Sequence, residues 1–541
     1  MTHSEKAAQL THEQIVALLT AQEVLLASQE QLQRAFAELK VDYDNLKRQL
    51  DWFKKQLFGQ KSERRPIEPA PNQLSLGEVF AIPADAPARQ DQPVAAHVRK
   101  KNLKNPMADA VAQAGLRFGP DVPVQEIRLT PSEIADRDAG EYEIIDEKIT
   151  YRLAQQPGSY VVLKYIRPVV KLKEANNVAC HPAPAGVLEK SYADVSFLAG
   201  MLVDKFVYHQ PLYRQHQKLT ANHIELSRIT LTNQTHGAIE LLLPIADALL
   251  DSVRASAILV MDETPIKAGH KEKRKLGKGY FWPLYGDKDE VVFRYAPSRG
   301  HEVVREVLGK RFKGILLTDG YSAYERYIEH TTGITHARCW SHARRGFIKA
   351  ENAEPQRAAK ALDFIRQLYA VEQLAKEHKF GAEGLLALRQ ERSRPIVDAF
   401  FHWLREEQQD IGLLPKNPFT FALCYALQRE QGLRVFLGDP NLSPDTNHLE
   451  RALRVIPMGR KNWLFCWTEI GATHVAAIQS LLVTCKLHGV DPYDYLVDVL
   501  QRVAIHPAKD IELLTPRHWK QHFAAHPLRS DLFACRNNVG K

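Results

Sequence analysis

Three acids and the basic residues around them carry the chemistry in this sequence. Asp262 closes the apolar run AILVMDET, Asp319 follows the apolar run of GILLTDGYSAY, and Glu450 lies in DTNHLERALRVIPMGRKNWLF. Hard divalent cations such as Mg²⁺ take carboxylate oxygens and keep exchangeable waters. Two such ions about 4 Å apart can activate an attacking oxygen and stabilise the leaving 3′ oxygen of an in-line phosphoryl transfer. The pattern predicts that Asp262, Asp319 and Glu450 are both catalytic and metal-ligating, with Mg²⁺ or Mn²⁺ as cofactor and two ions expected. Taken singly, each acid has an ordinary alternative. An Asp at a strand end forms turns or caps helices, and a Glu in a basic helix pairs with its neighbours. Alternation along the strand places Glu263 on the face opposite Asp262.

Cations surround these acids. Lys273, Arg274 and Lys275 lie in the first hairpin, Arg338, Arg344 and Arg345 follow the second Asp, and Arg451, Arg454, Arg460 and Lys461 flank the Glu. Metal-binding acids beside phosphate-binding cations suit a DNA strand-transfer site, so double-stranded DNA is the expected partner. Arg451 and Arg454 have the alternative of pairing with core carboxylates. Trp463 and Phe465 either stack on a displaced base or belong to the core. Upstream, Pro211–Leu219 and Ile229–Leu242 read as two helical runs across a short polar stretch, as in a helix-turn-helix. Tyr213, Arg214, Gln215, Arg228, Asn233 and Gln234 are its candidate DNA contacts, although a plain helical hairpin is the commoner source of such a pattern. His336, Cys339 and His342 form an HxxCxxH cluster that invites a zinc reading, but no fourth ligand is evident nearby. A packing or DNA-positioning role is expected for them.

The elements that must position the acids follow from the pattern between 257 and 338. AILVM, GYFWPLYG and EVVFRYA read as three strands of an antiparallel meander. HEVVREVLGK reads as a helix, GILLT as a fourth strand and ITHARCW as a fifth. This order, with acids on the first and fourth strands, is the ribonuclease H-like arrangement, in which those two strands lie side by side. Asp319 and Glu450 are 131 positions apart, too far for a direct connection, so a helical insertion is expected over 351–438. The Glu-bearing stretch reads as a helix followed by a basic loop.

The rest of the chain frames this core. The 541 residues carry 72 basic and 64 acidic side chains, a net charge of +8, and ordinary globular shares of hydrophobic (45%) and charged (25%) residues. Wholesale disorder and fibrous repeats are excluded, and several folded units are expected. Six scattered cysteines without a CxxC pair argue against a disulfide scaffold. The N-terminus lacks signal-peptide order, and the apolar stretch Ala238–Leu250 is broken by Glu240, Pro244 and Asp247. No membrane partner and a cytoplasmic, nucleoid-associated location are expected. From 15 to 57 one heptad frame holds. Leu18, Leu25, Leu32, Leu39, Leu46 and Phe53 occupy one seam position; Ile15, Phe36, Tyr43, Leu50 and Leu57 occupy the other, where Gln22 and Gln29 are the exceptions. This predicts a coiled coil for self-association, against the alternative of a long helix packed on its own body. The expected organisation is a coiled coil to 60, a Pro-rich basic linker over 61–107, a small β-rich region over 108–185 and a helical region over 186–252. Core segments follow at 253–350 and 439–470 around the insertion, and then a helical C-terminal region over 471–541. After about 510 the chain reads as an extended tail with weak helical content. The fold class is α/β multidomain.

MDETP, GYFWPLYGD, FRYAPSRG, TDGYSAY, HARCWSHARRGF and LERALRVIPMGRKNWLF, in this order, resemble a transposase of the insertion sequence 66 family over roughly 190–500, and QLFGQKSERR resembles its N-terminal part. The resemblance implies that Asp262, Asp319 and Glu450 match the family's DDE acids. It also implies 3′-end cleavage and strand transfer on transposon ends and target DNA, with small accessory proteins of the same element as partners. Two features depart from the family. Its cysteine-rich zinc segment is absent, residues 108–180 containing only Cys180, so no zinc is expected there. Asp445-Thr446-Asn447 stands where Asp followed by two Asn is usual. The alternative is a catalytically inactive DNA-binding or scaffold protein on a ribonuclease H-like core. A stand-alone nuclease is a third reading.

Overall fold

A computed structural model describes residues 116–533 apart from 121, 136–137, 139–140, 157, 173–177, 273–274, 310–311, 464–465 and 467, together with scattered helical positions between 20 and 47. Most of the expected coiled coil and all of the linker over 61–107 lie outside the described residues. The chain divides into two compact units. One comprises Met1–Lys104, Phe347–Ala361 and Gln408–Ala422; the other comprises Asn105–Gly346, Leu362–Glu407 and Leu423–Lys541. In the first, the rings of Phe347 and Phe419 meet at 5.8 Å, and buried Glu354 accepts a hydrogen bond from Asn417.

The second unit opens with short strand β1 (Arg117–Phe118), then β2 (Val124–Arg128), β3 (Tyr142–Gln156), β4 (Ser159–Leu172) and β5 (Val178–Cys180). Strands β3 and β4 form the long antiparallel ladder that their alternating β-branched and aromatic residues favour. The sheet is mixed, because β2 joins β4 in parallel. Three helices follow: α1 (Val195–Phe206), α2 (Leu212–Ala221) and, after short strand β6 (Ile224–Glu225), the 27-residue α3 (Arg228–Arg254). Asp194 caps α1 and Ser227 caps α3, each by accepting a backbone N–H.

The sheet that carries the acids contains β7 (Ile258–Met261), β8 (Thr264–Glu272), β9 (Lys275–Gly286), β10 (Val291–Ala296), β11 (Gly314–Thr318) and β12 (Ile334–Arg338). Its order is β10-β9-β7-β11-β12, with β8 paired to β9. Strands β9 and β10 run antiparallel to their neighbours, whereas β7, β11 and β12 run parallel. The parallel connections pass through α4 (His301–Leu308) and α5 (Ser322–Glu329). Every residue of β7 is buried, as a central strand covered on both faces requires. Strand β8 is a fourth strand in a meander from which three were expected.

Helices α6 (Trp340–Ala350), α7 (Pro355–Glu377), α8 (Ala382–Leu388), α9 (Arg394–Gln408), α10 (Pro418–Gln428) and α11 (Glu430–Arg434) separate β12 from the Glu450 segment. That segment forms α12 (Asn447–Leu453) and α13 (Val455–Trp463). The expected basic loop is therefore helical: Pro457 falls in the first turn of α13, where a proline is tolerated. Helix α14 (Glu469–Leu487) follows, then Gly489 at φ 63° and the Asp491-capped α15 (Pro492–Arg502). Among the described residues α14 alone is long and apolar enough to cross a membrane, but it is mostly buried inside the fold. The extended tail expected after 510 is corrected. A 3₁₀ segment (Ala508–Leu514) and α16 (Pro516–His522) pack closely, with Leu514, Trp519 and Leu532 buried, because Trp519 meets the Tyr495 ring and Asp531 accepts from the Tyr165 hydroxyl.

Candidate active site

Register alone brings two acids together. The last paired positions of the parallel strands β7 and β11 are Val260 and Leu317. Asp262 and Asp319 each come two residues later, so they emerge at one level and on one side of the sheet. Both side chains are fixed by the local turn. Asp262 Oδ1 accepts from the Glu263 N–H at 2.7 Å, and Asp319 Oδ1 accepts from the Tyr321 N–H at 2.8 Å. The turn after Asp319 also needs its glycine. A Cβ on Gly320 would fall 2.5 Å from the Tyr425 ring.

Glu263 departs from its expected position. Strand β7 ends at Met261 and β8 begins at Thr264, so Asp262 and Glu263 lie in a break where alternation no longer applies. One oxygen from each of Asp262, Glu263 and Asp319 lies within 4.8 Å of the others. Both oxygens of Glu263 are already engaged: Oε1 accepts from Arg299 Nε at 2.8 Å and from Nη2, and Oε2 accepts from the Tyr324 hydroxyl at 2.6 Å. Burial raises its pKa against these two partners.

Glu450 sits in the first turn of α12 and pairs with Arg345, whose other arm donates to His342 Nε2. Asp445 anchors the start of α12, accepting from Asn447 and from the Tyr369 hydroxyl at 2.8 Å. The carboxyl of Asp262 is pushed up to about 7, first by burial and then by the negative charges of Glu263, Asp319 and Glu450. A site made only of oxygen donors, with a central carboxyl held uncomfortably by its neighbours, fits a divalent cation. Among the described residues the clustered carboxylates are those of Asp262, Glu263 and Asp319. Glu450 is not one of them; its pair with Arg345 is open to solvent, whereas the Glu263 side chain is 2% exposed and held by its partners.

The cations divide into groups. Arg344, Arg451, Arg454, Lys461, Arg214 and Arg228 are exposed. Arg228 lies 5.9 Å from the Tyr213 ring, and Arg460 donates to the Pro265 carbonyl. Lys275 opens β9, while Lys273, Arg274 and Phe465 lie outside the described residues, as does the side chain of Trp463. Arg338 is corrected as a DNA contact. It is 7% exposed and spends its guanidinium on Glu325 and the Asp319 carbonyl, so it braces the turn that holds Asp319. Gln215 and Gln234 are likewise buried and donate to Met201 and Ser191. The HxxCxxH side chains take separate partners. His336 bonds Thr318, buried Cys339 meets Thr446, and His342 meets Arg345. Arg299, which holds Glu263, has little to signal it in the sequence: it is a lone arginine in the PSRG turn after a buried strand.

Comparison with known proteins adds the lineage. Residues 190–474 match the family profile described as Transposase IS66 family, residues 480–517 that of the IS66 C-terminal element, and residues 45–112 that of Transposase C of IS166 homeodomain. Among relatives, Uncharacterized protein y4qI of Sinorhizobium fredii is 32% identical over 73% of this chain and 76% of its own length. Uncharacterized protein y4hP of the same organism is 28% identical over 87% of this chain and 88% of its own. With more than half of its length matched by the first profile, the chain belongs to the IS66 family of transposases.

Proposed function

We propose that this protein is a DNA transposase that cleaves the 3′ ends of its element and joins them to target DNA. The observation that carries the reading is the shared level of Asp262 and Asp319 at the ends of adjacent parallel strands. The strand order β10-β9-β7-β11-β12 supports a ribonuclease H-like core. On that reading the core spans 253–350 and 439–470, and the helices of 351–438 are its insertion. The other domain boundaries expected from sequence, including a β-rich region over 108–185 and a helix-turn-helix over 186–252, belong to the same proposal.

Mg²⁺ or Mn²⁺, when bound, would activate an attacking oxygen and stabilise the leaving 3′ oxygen. The protein's own groups do the rest. The Glu263 and Tyr321 amides orient the two aspartates, and Arg338 and Tyr425 fix the turn after Asp319. Exposed Arg344, Arg451, Arg454 and Lys461 offer positive charge to the phosphate backbone of double-stranded DNA. Self-association through the N-terminal heptads and accessory proteins of the same element complete the proposed set of partners.

The test is strand transfer on DNA flanking the gene, with Mg²⁺ or Mn²⁺, comparing the wild type with Asp319→Asn. The variant should lose joined and cleaved products, by about a hundred- to thousandfold if electrostatic stabilisation of the transition state is removed, while still binding ends. Retained joining by the variant would overturn the assignment.

A further inference from the structure

Arg299 is the strongest feature near the acids that the reading above leaves without a task. It lies in the turn between β10 and α4, and its side chain reaches back to Glu263, the residue after Asp262. Its backbone carbonyl accepts from the Tyr321 hydroxyl at 2.7 Å, and Tyr321 is the residue whose amide orients Asp319. One residue is thus tied to the strand ends that carry both aspartates. The guanidinium lies 3.9 Å from the centre of the Tyr321 ring and 5.9 Å from that of Tyr280.

This anchoring does not use up the group. A guanidinium has five N–H donors, and Glu263 Oε1 receives only Nε and Nη2. Arg299 remains 44% exposed beside an otherwise acidic site, while its carboxylate partner is 2% exposed. A buried carboxylate holds one edge of the guanidinium over the Tyr321 ring, and Nη1 has no share in that pair. Rigid, forked N–H donors suit a phosphate oxygen better than a flexible ammonium does. The guanidinium is linked to the aspartates through Glu263, an oxygen of which lies within 4.8 Å of one from each of Asp262 and Asp319.

We infer that Arg299 is a phosphate-binding residue of the active site, holding a DNA backbone phosphate next to the acids from a seat made by Glu263 and Tyr321. The inference rests on the transposase reading, because it assumes that DNA runs across these acids. Glu263 is then a positioning residue, and its proximity to the aspartates serves to hold Arg299.

The test uses the full chain and a duplex of about 30 base pairs from DNA flanking the gene, with binding measured across a salt series. Losing one phosphate contact reduces the slope of log K against log salt by about 0.9. Arg299→Ala should show that loss, and Arg299→Lys should keep the slope but join strands more slowly. The paired variant Glu263→Gln with Arg299→Met separates seat from function. If Arg299 only neutralised Glu263, the pair would restore wild-type binding and joining, and the inference would fall. An Arg299→Ala slope equal to wild type, with Asp319→Asn still inactive in joining, would also overturn the inference and leave the transposase reading standing. Joining retained by Asp319→Asn would instead remove that reading, and the inference with it.

Discussion

Asp262 and Glu263 are neighbours in the chain with different tasks. The first faces Asp319 across two parallel strands; the second is buried under Tyr324 and Arg299. Their difference arises in two residues of irregular backbone, where side-chain direction is set by partners and not by strand periodicity. His336 shows the same dependence on surroundings. Thr318 Oγ1 donates to the Asp319 carbonyl, so it accepts from His336 Nε2, and the imidazole is neutral with its proton on that nitrogen. Burial, then the charges of Arg338 and Arg429, hold its pKa down to about 3. In the unfolded chain it titrates near its ordinary value, so the folded state binds fewer protons between about 6.5 and 3. Stability from this group is present above pH 6.5 and lost as the pH falls toward 3, by up to about 5 kcal/mol. Acid unfolding followed by circular dichroism should therefore be shallower for His336→Gln, which keeps a donor to Thr318 but no titrating group. An identical acid profile would show that His336 is not buried neutral. The side chains of His336, Cys339 and His342 thus take separate partners in Thr318, Thr446 and Arg345.

At the scale of elements, helix α14 completes the sheet that carries the acids. Strand β10 is the edge of that sheet, and its outward backbone groups need partners if they are buried. Ser480 Oγ accepts from the Phe293 N–H, and Thr484 Oγ1 accepts from the Val291 N–H and donates to the Val291 carbonyl. Thr484→Val keeps the shape and removes the hydroxyl, leaving two buried backbone groups unpaired. It should cost about 1–3 kcal/mol, read as a lower urea midpoint with an unchanged slope. A midpoint equal to wild type would mean that the edge is satisfied in another way. These contacts also mark what the sequence could and could not disclose. Strands β7 and β11 were legible because central parallel strands are continuous apolar runs, and a carboxylate ending each run stands out. Strand β8 was not, since TPIKAGHKE is polar and interrupted by Gly269 at φ 64°; it is a strand because β9 offers it a ladder. Helix α13 was hidden by Pro457 and Gly459. The order after 510 was hidden because its partners, Tyr165 and Tyr495, are distant in sequence or belong to another helix. Glu450 and Arg345, over a hundred positions apart, meet only once the intervening helices are folded.

For the whole molecule, the remaining question is how many copies act together. On the proposed function an element has two ends, and one site of the kind proposed for Asp262, Asp319 and Glu450 would hold one scissile phosphate at a time. Joining both ends in one event therefore requires a second copy. The N-terminal heptads are the proposed means. Among their described residues, Leu32, Phe36 and Tyr43 fall on the two seam positions and are 74%, 68% and 65% exposed in the single chain. Large apolar groups repeated on a helical seam are costly to leave in water, and a parallel coiled coil of two or more chains would cover them. The full-length protein should then show at least twice the mass of one chain by light scattering, independent of added DNA. Leu32→Asp combined with Phe36→Asp puts charges on adjacent seam layers and should reduce the mass to that of a monomer. On this account the double variant still binds single ends but no longer joins two ends in one event. A monomeric wild-type chain would overturn the seam as the assembly device and leave pairing of ends to DNA or to a partner protein.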